Sequence, residues 1–452
     1  MRFKFLSTRL LHHPTTLVVL SFALADFLGG LLLLLPWMHK EKLSILDAFF
    51  TSTSAICVTG LTVVNTADAF TLLGQTVILF LIQIGGLGVM TVSVLIGLGL
   101  HKALALRSRL IIQETFFPYN LGDIRLLIYT IFIYTILVEA ITALLLFFAF
   151  ILRYPLLEAL YHAVFHSVSA FCNAGFSTFR DGLMSYNGAF FVPFIIMCTV
   201  FLGNTGFPVV YELLEYFRKK RNKFSLHLKL TLVIHIFLVF LGAAILLVSE
   251  WDSAFISLSL SQKLLSAFFH SVSARTAGFN TIDMAHFSEH GLYFLVLLMF
   301  IGACPGSTGG GIKTTTIAVI WASALSRLRG YNHTIAFKRT IPEMQVSKAM
   351  TLLVSSVTIA VAFHLFLTFS FPNSPFYKAQ GEFLATLFET ISALGTVGLS
   401  TGLTPQLSSF GKIVIIAAMF CGRVGLLSLV SILTQLKSPK PYFYAPEEVM
   451  VG

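Results

Sequence analysis

The chain has 452 residues, 56% of them apolar and only 11% charged, with a mean hydropathy of +0.86. A soluble domain carries roughly 25% charged residues, so this composition excludes a string of soluble domains and points to one integral membrane assembly with the bilayer as its solvent. The formal net charge of +10 fits membrane topology and attraction to anionic lipid, and no nucleic acid partner is expected.

Eight apolar spans follow in chain order, at about 15–37, 71–98, 125–151, 187–211, 228–249, 289–322, 350–371 and 411–435. The first comes after Arg2, Lys4 and Arg9 and superficially resembles a signal peptide. It is too long for a typical signal core and lacks a small-x-small cleavage site, so it reads as a first membrane helix. Inside each successive pair of spans lies a short polar run that ends in a small residue and a glycine. These strings are Val58-Thr59-Gly60, Asn173-Ala174-Gly175, Thr276-Ala277-Gly278 and Thr396-Val397-Gly398. A Ser-Ala pair precedes each, at Ser54-Ala55, Ser169-Ala170, Ser273-Ala274 and Ser392-Ala393, and the third copy has one fewer residue between that pair and its glycine. Thr51, His166, His270 and Glu389 stand in register.

The expected fold is therefore an all-α membrane protein of four helix–pore-loop–helix repeats, with eight transmembrane helices in pseudo-fourfold arrangement around a central ion pore. The repeats run over 1–98, 99–211, 212–326 and 327–440, followed by a tail at 441–452. The termini and the loops joining repeats carry 20 of the 30 Lys and Arg, including Arg218 to Lys223 and Arg327 to Lys348. That bias predicts cytoplasmic termini, with the polar runs entering from outside. Cys57, Cys172, Cys198, Cys304 and Cys421 form no C-x-x-C pair, which argues against a disulfide framework or metal site. His162 and His166 stand at i, i+4, but no H-E-x-x-H motif is present, and the repeat already explains His166 through its counterpart His270.

Irregular backbone at membrane depth is tolerated only where it is buried in protein or lines a watery path. A potassium ion gives up its water only if carbonyl oxygens replace it, as four T-V-G-Y-G loops do in channels. Glycine permits the backbone torsions that aim successive carbonyls inward. Thr396-Val397-Gly398 copies the start of such a loop, and the other copies keep the glycine and a small neighbour. The blander alternative, glycines for helix packing, would have to hold independently four times.

On the strings C-V-T-G-L-T at Cys57 to Thr62, F-C-N-A-G-F at Phe171 to Phe176, A-R-T-A-G-F-N-T at Ala274 to Thr281 and G-T-V-G-L-S-T-G at Gly395 to Gly402, the chain resembles the membrane subunits of the Ktr, Trk and HKT potassium transporters. The likeness spans nearly the whole chain and is greatest to the KtrB type. It implies a plasma-membrane (bacterial inner-membrane) protein that takes up K+ through a filter of Val58, Thr59, Gly60, Asn173, Ala174, Gly175, Thr276, Ala277, Gly278, Thr396, Val397 and Gly398. Na+ is a candidate coupling ion. The resemblance also implies one pore per chain, a homodimer, a tail near the dimer interface and a cytoplasmic ring of nucleotide-binding KtrA-type subunits. Glycine in all four filters accompanies potassium preference in this family.

The sixth span is interrupted by Ala303-Cys304-Pro305-Gly306-Ser307-Thr308-Gly309-Gly310-Gly311-Ile312-Lys313-Thr314. Proline and four glycines break the helix ladder, so a loop at membrane depth is expected. A phosphate loop would need G-x-x-x-x-G-K-S/T, and Ile312 spoils the match. A plain kinked helix stays open beside the favoured reading, an intramembrane gate of Gly306, Ser307, Thr308, Gly309, Gly310, Gly311, Lys313 and Thr314 beneath the filter, which the resemblance also implies. The spans after the strings share paired glycines, Gly85 with Gly88, Gly203 with Gly206, Gly302 with Gly306 and Gly422 with Gly425, which put Gly86, Asn204, Ala303 and Arg423 at one level. Arginine at a helix centre costs about 2.5 to 3.5 kcal/mol, so Arg423 is expected to project below the filter as an electrostatic barrier, resembling the family's arginine; the alternative is an ion pair with Glu139 or Asp26. Arg275, three residues before Gly278, is expected to brace its filter from behind. A membrane enzyme would need a clustered nucleophile, acid/base pair or metal, which the sequence does not offer. A secondary transporter with a midplane site for another solute remains the other reading.

Overall fold

A computed structural model of the chain describes residues 14–88, 124–219, 223–370 and 381–425. The tail 441–452, the termini and most of the loop between the first two repeats lie outside the described residues. The first repeat contains α1 (Pro14–Leu33), α2 (Ile45–Ile56), a single turn α3 (Thr66–Ala69) and α4 (Leu72–Leu87). The second has α5 (Ile124–Phe150), α6 (Leu156–Cys172), α7 (Phe191–Asn204) and α8 (Phe207–Phe217). The third has α9 (Leu226–Ser249), α10 (Leu260–Ser273), α11 (Glu289–Phe300) and α12 (Thr314–Leu328). A hairpin of β1 (Thr334–Ala336) and β2 (Arg339–Ile341) leads to α13 (Glu343–Thr368), α14 (Glu382–Leu394) and α15 (Ser409–Val424). By length and apolarity, α5, α9 and α13 can each cross a membrane, and α7 with α8 would make a fourth span bent by 89°.

Local chemistry repeats with the architecture. The helices that follow three of the strings start on a hydroxyl N-cap, with Thr71, Ser288 and Ser408 accepting from the backbone N–H of Gly74, Gly291 and Gly411. Each capped N–H belongs to a glycine pressed against another segment: Met38 O for Gly74, the Glu250 carboxylate for Gly291 and Ser370 Oγ for Gly411. A Thr/Ser-x-x-Gly start thus fixes both where the helix begins and how closely it docks.

The packing is cyclic. Within each repeat a leading helix (α1, α5, α9, α13) lies on a short helix (α2, α6, α10, α14) that ends at or just before a glycine string. The helix after each string then packs on the short helix of the next repeat: α4 on α6, α7 on α10, α11 on α14, and α15 back on α2. Lys412 on α15 and Asp47 on α2 form an ion pair of 2.6 Å across that last seam. Large apolar side chains are exposed mainly on the leading helices, such as Leu24 and Phe27 on α1, Ile133 and Phe148 on α5, Phe237 and Phe240 on α9, and Val354 and Val361 on α13. Such a belt is at home in lipid rather than water.

Three expected spans are altered. The span 187–211 is two helices, because Gly206 has φ +89° and Pro208 removes a backbone donor at the start of α8. Helix α4 stops at Leu87 with Gly88 at φ +82°, and α15 stops at Val424 with Gly425 at φ +87°; residues 89–98 and 426–435 lie outside the described set. The β-hairpin is a small departure from an all-α chain; its turn residues Phe337 and Lys338 both have positive φ, as a two-residue hairpin turn requires.

The first glycine of three of the pairs is a docking point on a short helix. A Cβ at Gly85, Gly203 or Gly422 would strike the carbonyl of Ile56, Phe171 or Leu394, the equivalent residue near the end of three short helices. Gly203→Ala should therefore cost about 1–3 kcal/mol by overpacking, read as a lower melting temperature of the detergent-solubilised protein; an unchanged melting curve would refute the contact.

Candidate functional site

Short helices α2, α6 and α14 end in the same hydrogen-bonded cap. In the first, Val58 N–H donates to Ala55 O at 3.1 Å and Thr59 N–H to Ser54 O at 2.8 Å; Asn173, Ala174 and Thr396, Val397 repeat the pair on Ala170, Ser169 and Ala393, Ser392. This is the Schellman arrangement, whose pivotal residue sits in the left-handed region and is usually glycine. Here the pivots are Val58 (φ +56°), Asn173 (φ +61°) and Thr396 (φ +50°). A left-handed β-branched residue costs on the order of 1–3 kcal/mol and marks a position fixed by its surroundings. In the third copy, one residue shorter, Ser273 O accepts from both Ala277 and Gly278, and Thr276 still has φ +73°.

Beyond each pivot the glycines of the four strings also have positive φ, between +68° and +94°. A Cβ at Gly60 would meet the Ala174 carbonyl, at Gly175 that of Ala277, at Gly278 that of Val397, and at Gly398 that of Thr59. The contacts run once around and close on themselves, so only glycine fits. All four glycines open on one cavity of about 370 Å³, whose rim includes Asp181 and Asp283. Among the described residues, the carbonyls of Thr59, Ala174, Ala277 and Val397 accept no hydrogen bond, though all four residues are buried. Buried carbonyls are seldom left unpaired, and these four come together without a donor from the described residues.

A serine from each short helix holds its string. Ser54 Oγ and Ser392 Oγ accept from Gly60 N–H and Gly398 N–H at 3.1 Å, while Ser169 Oγ, Ser273 Oγ and Ser392 Oγ donate to the carbonyls of Phe176, Phe279 and Leu399. The recurrent Ser-Ala pair, six residues from serine to glycine in three copies and five in the third, is the sequence signal for this role. The residues in register add a second tie in two copies: His166 Nε2 meets Ser177 Oγ at 2.9 Å, and Glu389 accepts from Ser400, Thr401 and Thr404. His162 is bonded to Thr178 and His166 to Ser177, so the two imidazoles serve the string rather than converge on a metal. The C-terminal ends of the short helices, with their partial negative charge, abut the ring.

The loop between α11 and α12 lies directly against the strings. A Cβ at Gly309 would strike Thr276 Oγ1, and one at Gly310 would strike Thr396 Oγ1. The Asn173 amide lies 2.7 Å from Thr308 Oγ1, and Thr308 Oγ1 is 3.1 Å from both Phe171 O and Gly203 O. Phe207 N–H donates to Gly306 O at 2.9 Å, Ser307 Oγ to Cys304 O at 2.6 Å, and Thr314 N–H to Ala303 O at 3.2 Å. Gly311, at φ +68°, lies against Gly302. Lys313 Nζ donates to Gly309 O at 2.7 Å, tying the loop to itself. Arg423 donates to Thr308 O of the loop and to Gly85 O of the first repeat. The ion-pair alternative is not realised: Asp26 accepts from Thr53 and Glu139 from Gln83, and among the described residues neither carboxylate pairs with Arg423.

Arg275 turns away from the ring. Its guanidinium is 2.8 Å from His235 Nδ1 and donates to His235 O and Gly302 O at 3.2 Å, and it is 1% exposed. Because arginine is always protonated, His235 Nδ1 is the acceptor. Asn204, aligned with Arg423, donates to Arg275 O at 2.8 Å and lies 3.2 Å from Thr276 Oγ1; sequence reading placed it at the right level without a partner.

Comparison with known proteins accords with this geometry. The family model described as TrkH, cation transport protein, matches residues 4–443. The chain is 40% identical to the Ktr system potassium uptake protein B of Bacillus subtilis over 92% of each chain, and 35% identical to the potassium/sodium uptake protein NtpJ of Enterococcus hirae over 97% of each. The Vibrio alginolyticus Ktr system potassium uptake protein B is 36% identical, over 96% of this chain and 94% of that one. The crystal structure of the potassium transporter TrkH from Vibrio parahaemolyticus superposes with a TM-score of 0.71 at 22% identity, covering 93% of this chain and 85% of that one, which is a likeness of fold. The chain belongs to the TrkH family of cation transport proteins.

Proposed function

We propose that the chain is the membrane subunit of a Ktr-type potassium uptake system, and that K+ crosses it through the ring of four strings. The observation that carries this reading is the set of four buried carbonyls, from Thr59, Ala174, Ala277 and Val397, that accept nothing from the described residues and close on one another through glycine contacts. Oxygens in that arrangement replace the water that a K+ ion must shed. The helix ends around them favour a cation without placing a fixed charge in its path. The cavity above, rimmed by Asp181 and Asp283, collects cations from the outer solution.

The loop 301–313 is the gate in this reading. It fills the space under Asn173, Thr276 and Thr396, and it is fastened by bonds to carbonyls from Lys313 and Arg423. Arg423 is at once a fastener and a positive barrier that a K+ ion must pass. Relatives named as parts of a Ktr system support a partner subunit, and in this reading it is a cytoplasmic nucleotide-binding KtrA-type ring beneath a homodimer, as the family resemblance alone implies. The basic bias of the loops joining repeats supports cytoplasmic termini in the plasma membrane.

Expressed in a potassium-uptake-deficient cell, together with its regulatory subunit, the protein should restore growth at low potassium and carry rubidium ahead of sodium; no growth and no rubidium uptake would overturn the reading. Gly60→Ser should narrow the preference for potassium over sodium by about tenfold or more, since a side chain at φ +94° meets the Ala174 carbonyl and shifts it. Deleting residues 309–314 should raise basal flux in the absence of any partner subunit, and unchanged flux and regulation would speak against a gate. Arg423→Ala should alter transport rate or apparent ion affinity while the protein purifies as the wild type does; normal kinetics would remove Arg423 from the mechanism.

A further inference from the structure

A groove of about 490 Å³ runs between the start of α9, the end of α12 and the β-hairpin, away from the ring. Its walls are apolar, with Leu230 and Val233 on one side and Trp321 and Leu325 on the other, and Arg329 stands at its end. Trp321 is 65% exposed and Tyr331, beside Arg329, 52%. Among the described residues Arg329 has no acidic partner, whereas neighbouring Arg327 is paired with Glu343 at 3.1 Å. Arg327, Arg329, Lys338, Arg339 and Lys348 face only one acid, Glu343, over this stretch of chain. An apolar trench in a lipid-facing wall, ending in an unpaired guanidinium beside a Trp and a Tyr, has the layout of the membrane–water interface.

We propose that this groove holds one anionic phospholipid of the inner leaflet, its phosphate on Arg329 and an acyl chain along Trp321 and Val233. A guanidinium binds a phosphate through paired N–H donors. The exposed indole covers the upper part of the chain. A zwitterionic lipid places its own cation beside the Arg327–Lys348 cluster and is disfavoured there. The leaflet follows from the orientation proposed above, but binding itself depends on neither that orientation nor transport.

The test uses the purified full chain in detergent, titrated with phosphatidylglycerol or phosphatidylcholine and read by native mass spectrometry. The wild type should retain one phosphatidylglycerol in preference to phosphatidylcholine. Arg329→Gln should lower that retention about fivefold, the effect of one basic side chain at an anionic headgroup. Arg153→Gln, a charge-matched change outside the groove where Arg153 lies over the Tyr186 ring, should leave it unchanged. Trp321→Ala should weaken retention of both lipids. Equal retention by the Arg329 and Arg153 variants, or equal retention of the two lipids by the wild type, would overturn the proposal. So would efficient disulfide cross-linking between Trp321→Cys copies in membranes, which would give the groove to a second copy of the chain.

Discussion

Everything in this molecule answers to one demand: four stretches of main chain must approach one another closely enough that no side chain fits between them. The contacts from Gly60 to Ala174, Gly175 to Ala277, Gly278 to Val397 and Gly398 to Thr59 bring carbonyl dipoles together, an arrangement that is repulsive without a cation. Such a ring has to be held from behind. The serine of each short helix, the Schellman caps at three of the strings and the ties from His166 and Glu389 supply that hold. The strain at Val58, Thr276 and Thr396 is the local cost of it.

The fourfold pattern departs most in the third repeat, and the breaks there lie together. The third string is one residue short and lacks the full Schellman cap, and the helix after it gives way to the loop 301–313. Counting back from its glycine, Arg275 stands where Cys57, Cys172 and Gly395 stand in the other copies, and its carbonyl accepts from Asn204. Its guanidinium reaches His235 and Gly302 O, so a side chain joins string, leading helix and loop where the other repeats use backbone contact. In this repeat Gly302 lies against Gly310 O of the loop and not against the end of the short helix.

Much of this was legible in the sequence because repetition multiplies weak signals. The four glycine strings, the Ser-Ala pairs, the broken sixth span and Arg423 all stood out before any coordinates, and composition alone placed the chain in a bilayer. The ends of the spans after the strings were not legible. A window of apolar residues cannot tell a straight helix from one that turns at Gly206, since Phe207 to Tyr211 is as apolar as what precedes it. The partners of Arg423 were not legible either, and the carboxylates weighed as the alternative are not among them. Hydrogen bonds to main-chain carbonyls such as Thr308 O and Gly85 O leave no trace in residue identity. The hairpin turn at Phe337 and Lys338 was hidden for a related reason, because neither residue is among those that favour positive φ.

The ion pair between Asp47 and Lys412 joins residues 365 positions apart. No partial chain can close the circle, for a ribosome that has made three repeats has left α2 with a bare flank where α15 will dock. Closure of the circle thereby waits until α15 has been made and can dock on α2. A polypeptide stopped short of α15 is an open arc, with the α2 seam and its ion pair unmade.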